Sequence, residues 1–65
     1  MTIEMYRTGT EPNHKVGLNI HHISHVQPEG KQWTWIHMVN GDKFMIDGPY
    51  NDVIEELNRA YRDAP

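Results

Sequence analysis

The 65-residue chain carries six Lys and Arg against nine Asp and Glu, a formal net charge of −3, and no cysteine. This length allows one domain, 1–65, with a small core that favours association with a partner. The cysteine-free composition excludes disulfides and is typical of cytoplasmic proteins. Without a Lys/Arg cluster, duplex nucleic acid is an unfavourable partner. No apolar run is long enough for a membrane span, and Met1–Glu4 does not resemble the start of a signal peptide.

Alternating apolar and polar residues predict a small antiparallel sheet. Gly9–Lys15 is rich in turn formers and predicts a polar loop, and Gln27–Gly30 predicts a turn. Around Asn19–His22 the apolar spacing changes, which indicates a bend or one helical turn. The four to five predicted strands cover residues 2–7, 16–20, 23–26, 33–39 and 42–47.

Asn40–Gly41 is the strongest hairpin signal in the chain. A two-residue turn pairs Trp35 with Ile46 and puts the indoles on the buried face. A bulged three-residue loop pairs Ile36 with Phe44 and leaves the indoles on the opposite face. We favour the bulged loop, because it gathers Ile36, Met38, Phe44 and Ile46 on one face.

The last segment predicts an α-helix over residues 49–62. Gly48–Pro49 opens it, since proline is tolerated in a first helical turn. The fold class is therefore α+β and β-rich, with one antiparallel sheet and one C-terminal helix. The apolar stripe of this helix recurs at i, i+3, i+4, i+7 and i+11, and consists of Tyr50, Val53, Ile54, Leu57 and Tyr61.

The strand and helix motifs resemble those of the FlbD family of small flagellar-operon proteins. Ile3–Arg7 and Val16–Asn19 are similar to the opening of the family's sequences, and Ile23–Val26 resembles its short I-x-x-I strand. Ile36–Ile46 resembles its hairpin, and Asp52–Leu57 resembles its terminal helix. The pattern also fits LytTR-like modules and small phage proteins. The resemblance implies a small sheet with one helix and a non-enzymatic accessory role, and it brings no catalytic or ligand-binding residue to this chain.

The sheet face away from the helix is the candidate interaction surface. One helix covers one face of a small sheet, so the favoured register leaves two indoles in the open. Tryptophan is a favoured anchor of protein interfaces, and we therefore expect a homo-oligomer that binds a partner protein. Crowded imidazolium groups are expected to weaken this oligomer below ~pH 6. The candidate interface or ligand-binding residues are Trp33, Trp35, His37, Val39 and Met45.

The five histidines raise the question of a metal site. His21 and His25 could chelate a metal from one helical face if residues 19–25 were helical, and His22 with His25 is the alternative pair. Neither a cysteine nor a nearby acidic residue completes a ligand set. We therefore expect no metal site and no cofactor.

The same aromatic face suggests a second function, in which it stacks the base of a nucleotide ligand. Arg7, Lys15 or Lys31 would then neutralise a phosphate. This alternative describes a phage-type small inhibitor, or a sponge that sequesters a nucleotide signal.

Catalysis has the least support in the sequence. Ser24 is the only serine, and no nucleophile motif surrounds it. Asp42 and Asp47 flank one strand, but paired catalytic carboxylates need a pocket, and a domain of this size makes few deep ones. We therefore predict that the chain is not an enzyme.

Overall fold

A computed structural model describes residues 2–8 and 14–63 of the chain. Of the predicted loop Gly9–Lys15, residues 9–13 lie outside the described part, and Lys15 begins a strand. No helix in the described part has the length and apolar character that crossing a membrane requires. The elements are β1 (Thr2–Tyr6), β2 (Lys15–Asn19), a 3₁₀ turn (Ile20–His22), β3 (Ile23–Glu29), β4 (Trp33–Met38), β5 (Lys43–Asp47) and α1 (Tyr50–Asp63).

The strands form two antiparallel sheets, one of β1 and β2 and one in the order β3-β4-β5. The α+β, β-rich class with a C-terminal helix is confirmed, but the prediction of one continuous sheet is wrong. The sheets touch where Arg7 bridges Ile46 and the Thr8 N–H donates to the Met45 carbonyl at 3.0 Å. Since β1 ends at Tyr6, this contact is too short to merge the two sheets.

The predicted bend around Asn19–His22 is confirmed as a 3₁₀ turn. The Asn19 side chain starts it by accepting a hydrogen bond from the His21 N–H at 3.0 Å. Such caps satisfy a donor that the short turn leaves without a backbone partner. The turn separates β2 from β3, and this is the second reason why the strands do not form one sheet.

A β-bulge at Ser24 explains the irregular apolar spacing at the start of β3. Ile23 pairs with Met38 and His25 with His37, so Ser24 is an extra residue without a partner in β4. A bulge shifts the phase of the strand by one residue. Ile23 and Val26, three residues apart, consequently both pack against the core.

The strand predicted over residues 23–26 continues to Glu29, so the turn predicted at Gln27–Gly30 is misplaced. Pro28 lies within β3 and pairs with Thr34. Because β3 is the edge of its sheet, the missing N–H of Pro28 does not interrupt a central ladder. The chain instead turns over residues 30–32, where Gly30 has a φ of 65°.

The favoured register of the β4–β5 hairpin is confirmed. Ile36 pairs with Phe44, as a three-residue loop requires. The Met38 N–H donates to the Asp42 carbonyl at 2.8 Å, and the Gly41 N–H donates to the Met38 carbonyl at 3.1 Å. Gly41 has a φ of 97°, which is the glycine position of a bulged hairpin loop.

The helix packs its apolar stripe against β3, β4 and the 3₁₀ turn. It begins one residue after the predicted start, with the Val53 N–H donating to the Pro49 carbonyl at 3.0 Å. Val53 and Leu57 are buried as predicted, whereas Tyr61 is 44% exposed and donates its hydroxyl to the Ile20 carbonyl. The buried apolar residues are Met5, Leu18, Ile20, Ile36, Ile46, Val53 and Leu57.

Substitution of Gly41 tests the hairpin. A Cβ at this position would meet no atom within 4 Å, so Gly41→Val adds no clash, and its cost arises from the positive φ. We expect the free energy of unfolding to fall by more than ~1 kcal/mol in a urea titration. The neighbouring exposed change Val39→Ala is the control and should be nearly neutral. A neutral Gly41→Val would contradict the turn geometry.

Candidate functional site

The exposed face of the β3-β4-β5 sheet is the candidate site, and we call it the outer face. Side chains of a strand alternate between two faces, and the pairing of the three strands places three residues of each on the outer one. They form three rows across the sheet. These rows are His25–His37–Lys43, Gln27–Trp35–Met45 and Glu29–Trp33–Asp47.

The central strand β4 separates core from outer face most sharply. Thr34 and Ile36 are fully buried on the inner side. On the other side Trp33 is 40% exposed, while Trp35 and His37 are half-buried. The indoles therefore lie outside the core, as the favoured register predicts.

Trp35 is held in place by two neighbours on the outer face. Its Nε1–H donates to Glu29 Oε2 at 3.0 Å. The Lys43 ammonium lies 4.8 Å from the centre of a Trp35 ring, which is a cation–π contact. Met45 pairs with Trp35 in β5 and is also half-buried. Trp35 thus forms the fixed centre of the outer face.

Trp33 stands at the acidic end of the outer face. Its cross-strand partners are Glu29 in β3 and Asp47 in β5, both exposed. The indole is the more exposed of the two tryptophans, and carboxylates flank it on both sides. This end of the face favours a positively charged or neutral partner over an anionic one.

The opposite end of the outer face carries the basic groups. The His25 and His37 rings stack at 4.2 Å with an interplanar angle of 8°, and His37 Nε2–H donates to Gln27 Oε1 at 3.0 Å. Lys43 pairs with His37 from β5. Burial, then the charges of His25 and Lys43, lower the pKa of His37 below its ordinary value. Since His37 and Trp33 are four residues apart along β4, the basic and acidic ends lie ~13 Å apart.

Val39, predicted as part of this face, lies elsewhere. The strand predicted over residues 33–39 ends at Met38, and Val39 belongs to the hairpin turn, where it is 66% exposed. Its N–H donates to the His22 carbonyl at 2.8 Å. Together with Leu18 and Phe44 it lines a cleft of about 240 Å³ between the hairpin and β2. The outer face therefore keeps four of the five predicted residues.

The histidines considered as metal ligands have separate neighbours. Residues 19–25 do not form the single helix that the His21–His25 pair needs, because β3 begins at Ile23. The His21 ring lies edge-on to Tyr61 at 6.2 Å, while His25 stacks on His37. Within residues 2–8 and 14–63, no group of three or more His, Cys, Asp or Glu side chains is placed to hold a metal ion.

Ser24 and His25 form the one serine–histidine contact of the described chain, with 3.1 Å between Ser24 Oγ and His25 Nδ1. A catalytic nucleophile needs a base that a third group orients, beside a site for the substrate. Both residues are exposed on the β-bulge, and the His25 ring stacks on another imidazole. The contact therefore joins two exposed neighbouring side chains at the bulge.

Two cations predicted to serve a nucleotide phosphate lie away from the outer face. The Arg7 guanidinium is 5.5 Å from the centre of the Phe44 ring, and the Lys15 ammonium is 5.5 Å from the centre of the Tyr6 ring. Lys31 is exposed in the β3–β4 turn. The cation that the sheet places against a tryptophan is Lys43, which the sequence did not indicate.

The sequence alone did not identify five residues of the outer face. Those from β3 were missed because the bulge at Ser24 and the misplaced turn hid the register of that strand. Those from β5 could have been predicted, because the hairpin register places them on the same face as Trp33 and Trp35. The missed residues are His25, Gln27, Glu29, Lys43 and Asp47.

Comparison with protein-family models, with curated proteins and with solved structures yields no match to this chain. The outer face must therefore be interpreted from its own chemistry.

The histidine row gives a pH prediction. The folded chain binds a proton at His37 more weakly than the unfolded chain does, because the pKa is lowered. Stability should therefore fall as the pH drops through about 6.5. Lys43→Gln removes one of the charges responsible and should raise the pKa of His37 in an NMR titration of dilute protein. Lys31→Gln is the control. An unchanged pKa in Lys43→Gln would contradict the charge contribution.

Proposed function

We propose that this chain is a non-enzymatic interaction module that self-associates and binds a partner protein through its outer face. The observation that carries the proposal is the position of the two indoles. Trp33 and Trp35 lie on the sheet face opposite the buried residues Thr34 and Ile36, so α1 does not cover them. An uncovered face with two tryptophans is typical of an interaction site.

The size of the domain supports self-association. A chain of this length has room for a small core, and additional burial stabilises such domains. Each Å² of apolar surface removed from water contributes ~25 cal/mol. Trp33, Trp35 and Met45 form the apolar part of the outer face, which a second copy can cover. A two-fold dimer, in which the same patch meets itself, is the commonest arrangement.

An accessory role, in a bacterial or phage assembly in the cytoplasm, is part of this proposal. The FlbD-like sequence pattern supports it. The acidic, cysteine-free composition agrees with a cytoplasmic setting. In such a role the module would add a docking surface to a larger assembly and perform no chemistry of its own.

A nucleotide ligand is the second candidate. Lys43 beside Trp35 supports it, because a cation next to an aromatic ring can serve both the phosphate and the base. Glu29 and Asp47 oppose it, since they put negative charge on either side of Trp33. A thermal-shift screen with nucleotides separates the candidates, because a ligand at 100 times its Kd stabilises the fold by ~2.7 kcal/mol.

The double variant Trp33→Ser, Trp35→Ser tests self-association. Both side chains lie outside the core, so we expect the variant to fold. Its mass by light scattering should fall to that of the monomer at concentrations where the parent is associated, because the apolar part of the interface is gone. Circular dichroism should show the same secondary structure in both proteins.

Tyr6→Ser is the matched control for this variant. Tyr6 is an aromatic residue with 53% exposure, but it belongs to β1 in the other sheet. Its substitution should leave the assembly unchanged. A parent that is monomeric at high micromolar concentration would contradict the proposal, and so would a double variant that fails to fold.

A further inference from the structure

The charges of the outer face are arranged unequally along the strands. The row His25–His37–Lys43 supplies the basic groups, and the row Glu29–Trp33–Asp47 supplies the acidic ones. The row Gln27–Trp35–Met45 between them is uncharged. By position along the strands, the face therefore has a basic end, an uncharged middle row and an acidic end, and the Lys43 ammonium and the Glu29 carboxylate both reach Trp35 in the middle row.

If the strands of the two copies are aligned, two arrangements bring this face against a second copy around a two-fold axis lying between the sheets. If the axis runs along the strands, each row meets its own counterpart, so the basic ends face each other and the carboxylates face each other. If the axis runs across the strands, the basic row of one copy meets the acidic row of the other. Like charges brought together in an interface are unfavourable, so the charge pattern selects the second arrangement.

An axis across the strands also keeps each strand opposite its own counterpart. Lys43 of one copy then lies opposite Asp47 of the other, because both residues belong to β5. His25 likewise lies opposite Glu29, since both belong to β3. Trp35, at the centre, meets its own counterpart across the axis. Each charged pair occurs twice, so the arrangement contains four complementary pairs around an aromatic centre.

We propose that two copies of this chain dock face to face with the two-fold axis across the strands, so that the basic end of each outer face meets the acidic end of the other. This arrangement rests on the proposed self-association and specifies its geometry. The second copy is the occupant because the face is complementary to itself, with matching charges at matching distances from Trp35.

The dimension of the face sets the strength of the dimer. Three strands about 4.8 Å apart and five residues of β4 span an area of ~15 by 15 Å. Such a face buries a few hundred Å² on each copy, below the ~800 Å² per partner of a standard interface. We therefore expect a weak dimer whose charges contribute to its specificity.

The arrangement reverses the pH dependence expected from crowded imidazolium groups. Within one chain His25 faces His37 and shares its row with Lys43. Across the interface it faces Glu29, and His37 faces the indole of Trp33, which attracts a cation. Protonation of the imidazoles therefore adds attraction between the copies. Association should strengthen as the pH falls below about 6.5.

Charge reversal at the β5 pair tests the geometry. Lys43 and Asp47 are both exposed, so Lys43→Glu and Asp47→Lys should fold, which thermal melts by circular dichroism verify. Each variant alone places like charges opposite each other and should weaken self-association about tenfold in sedimentation equilibrium. An equimolar mixture restores a carboxylate opposite a lysine at both positions and should form a heterodimer with near-parental affinity.

The outcomes separate this geometry from the alternatives. With the axis along the strands, Lys43→Glu would face His25 and strengthen association, which overturns the proposal. The proposed geometry is also overturned if both variants associate weakly and their mixture does not regain parental affinity. In that case, loss of assembly in the tryptophan double variant would still support self-association. A monomeric parent overturns both. The pH series gives a second readout. Glu29→Gln keeps an acceptor for the Trp35 indole but removes the negative charge opposite His25. This variant should therefore show a smaller increase in self-association at low pH. Weakening of the parent at low pH overturns the proposal.

Discussion

The register of β4 between its two neighbours is the constraint on which the rest of this structure depends. Thr34 and Ile36 point into the core without exposure, and the Thr34 hydroxyl donates to the Gly48 carbonyl at 2.9 Å. That bond ties the central strand to the residue from which the chain enters the helix. A slip of one residue would remove it, bury the indoles and expose Ile36. The three-residue hairpin loop at Gly41 excludes that slip, because the length of a hairpin loop fixes the register of the two strands it joins.

The bulge at Ser24 completes the surface that the hairpin begins. Without the extra residue, His25 would share a face with Ile23, and an imidazole would point into the core. With it, Ile23 and Val26 both reach the core, while His25 stacks on His37 outside. A single unpaired residue in an edge strand thus decides whether β3 contributes polar groups to the outer face. Bulges are a common means of redirecting side chains in this way.

Features that depend on residues close in sequence were predicted, whereas features that depend on long-range contacts were not. The stripe of α1 and the loop at Gly41 depend on residues close in sequence, and both were predicted. The division into two sheets and the full length of β3 depend on long-range pairing that leaves no local pattern. Pro28 was especially misleading, because proline signals a turn unless the strand is known to be an edge. For the site, Trp33, Trp35, His37 and Met45 followed from the hairpin, whereas Glu29 required the register of β3.

The two tryptophans are suited to different tasks on the proposed surface. Ordering a side chain on binding costs free energy, and a side chain that is already fixed costs less. Trp35 is fixed before any partner arrives, since Glu29 accepts from its indole and Lys43 lies over its ring. Trp33 is more exposed, and its cross-strand partners Glu29 and Asp47 are both acidic. A preformed anchor at the centre with a more exposed aromatic at the rim is consistent with the proposed interaction surface.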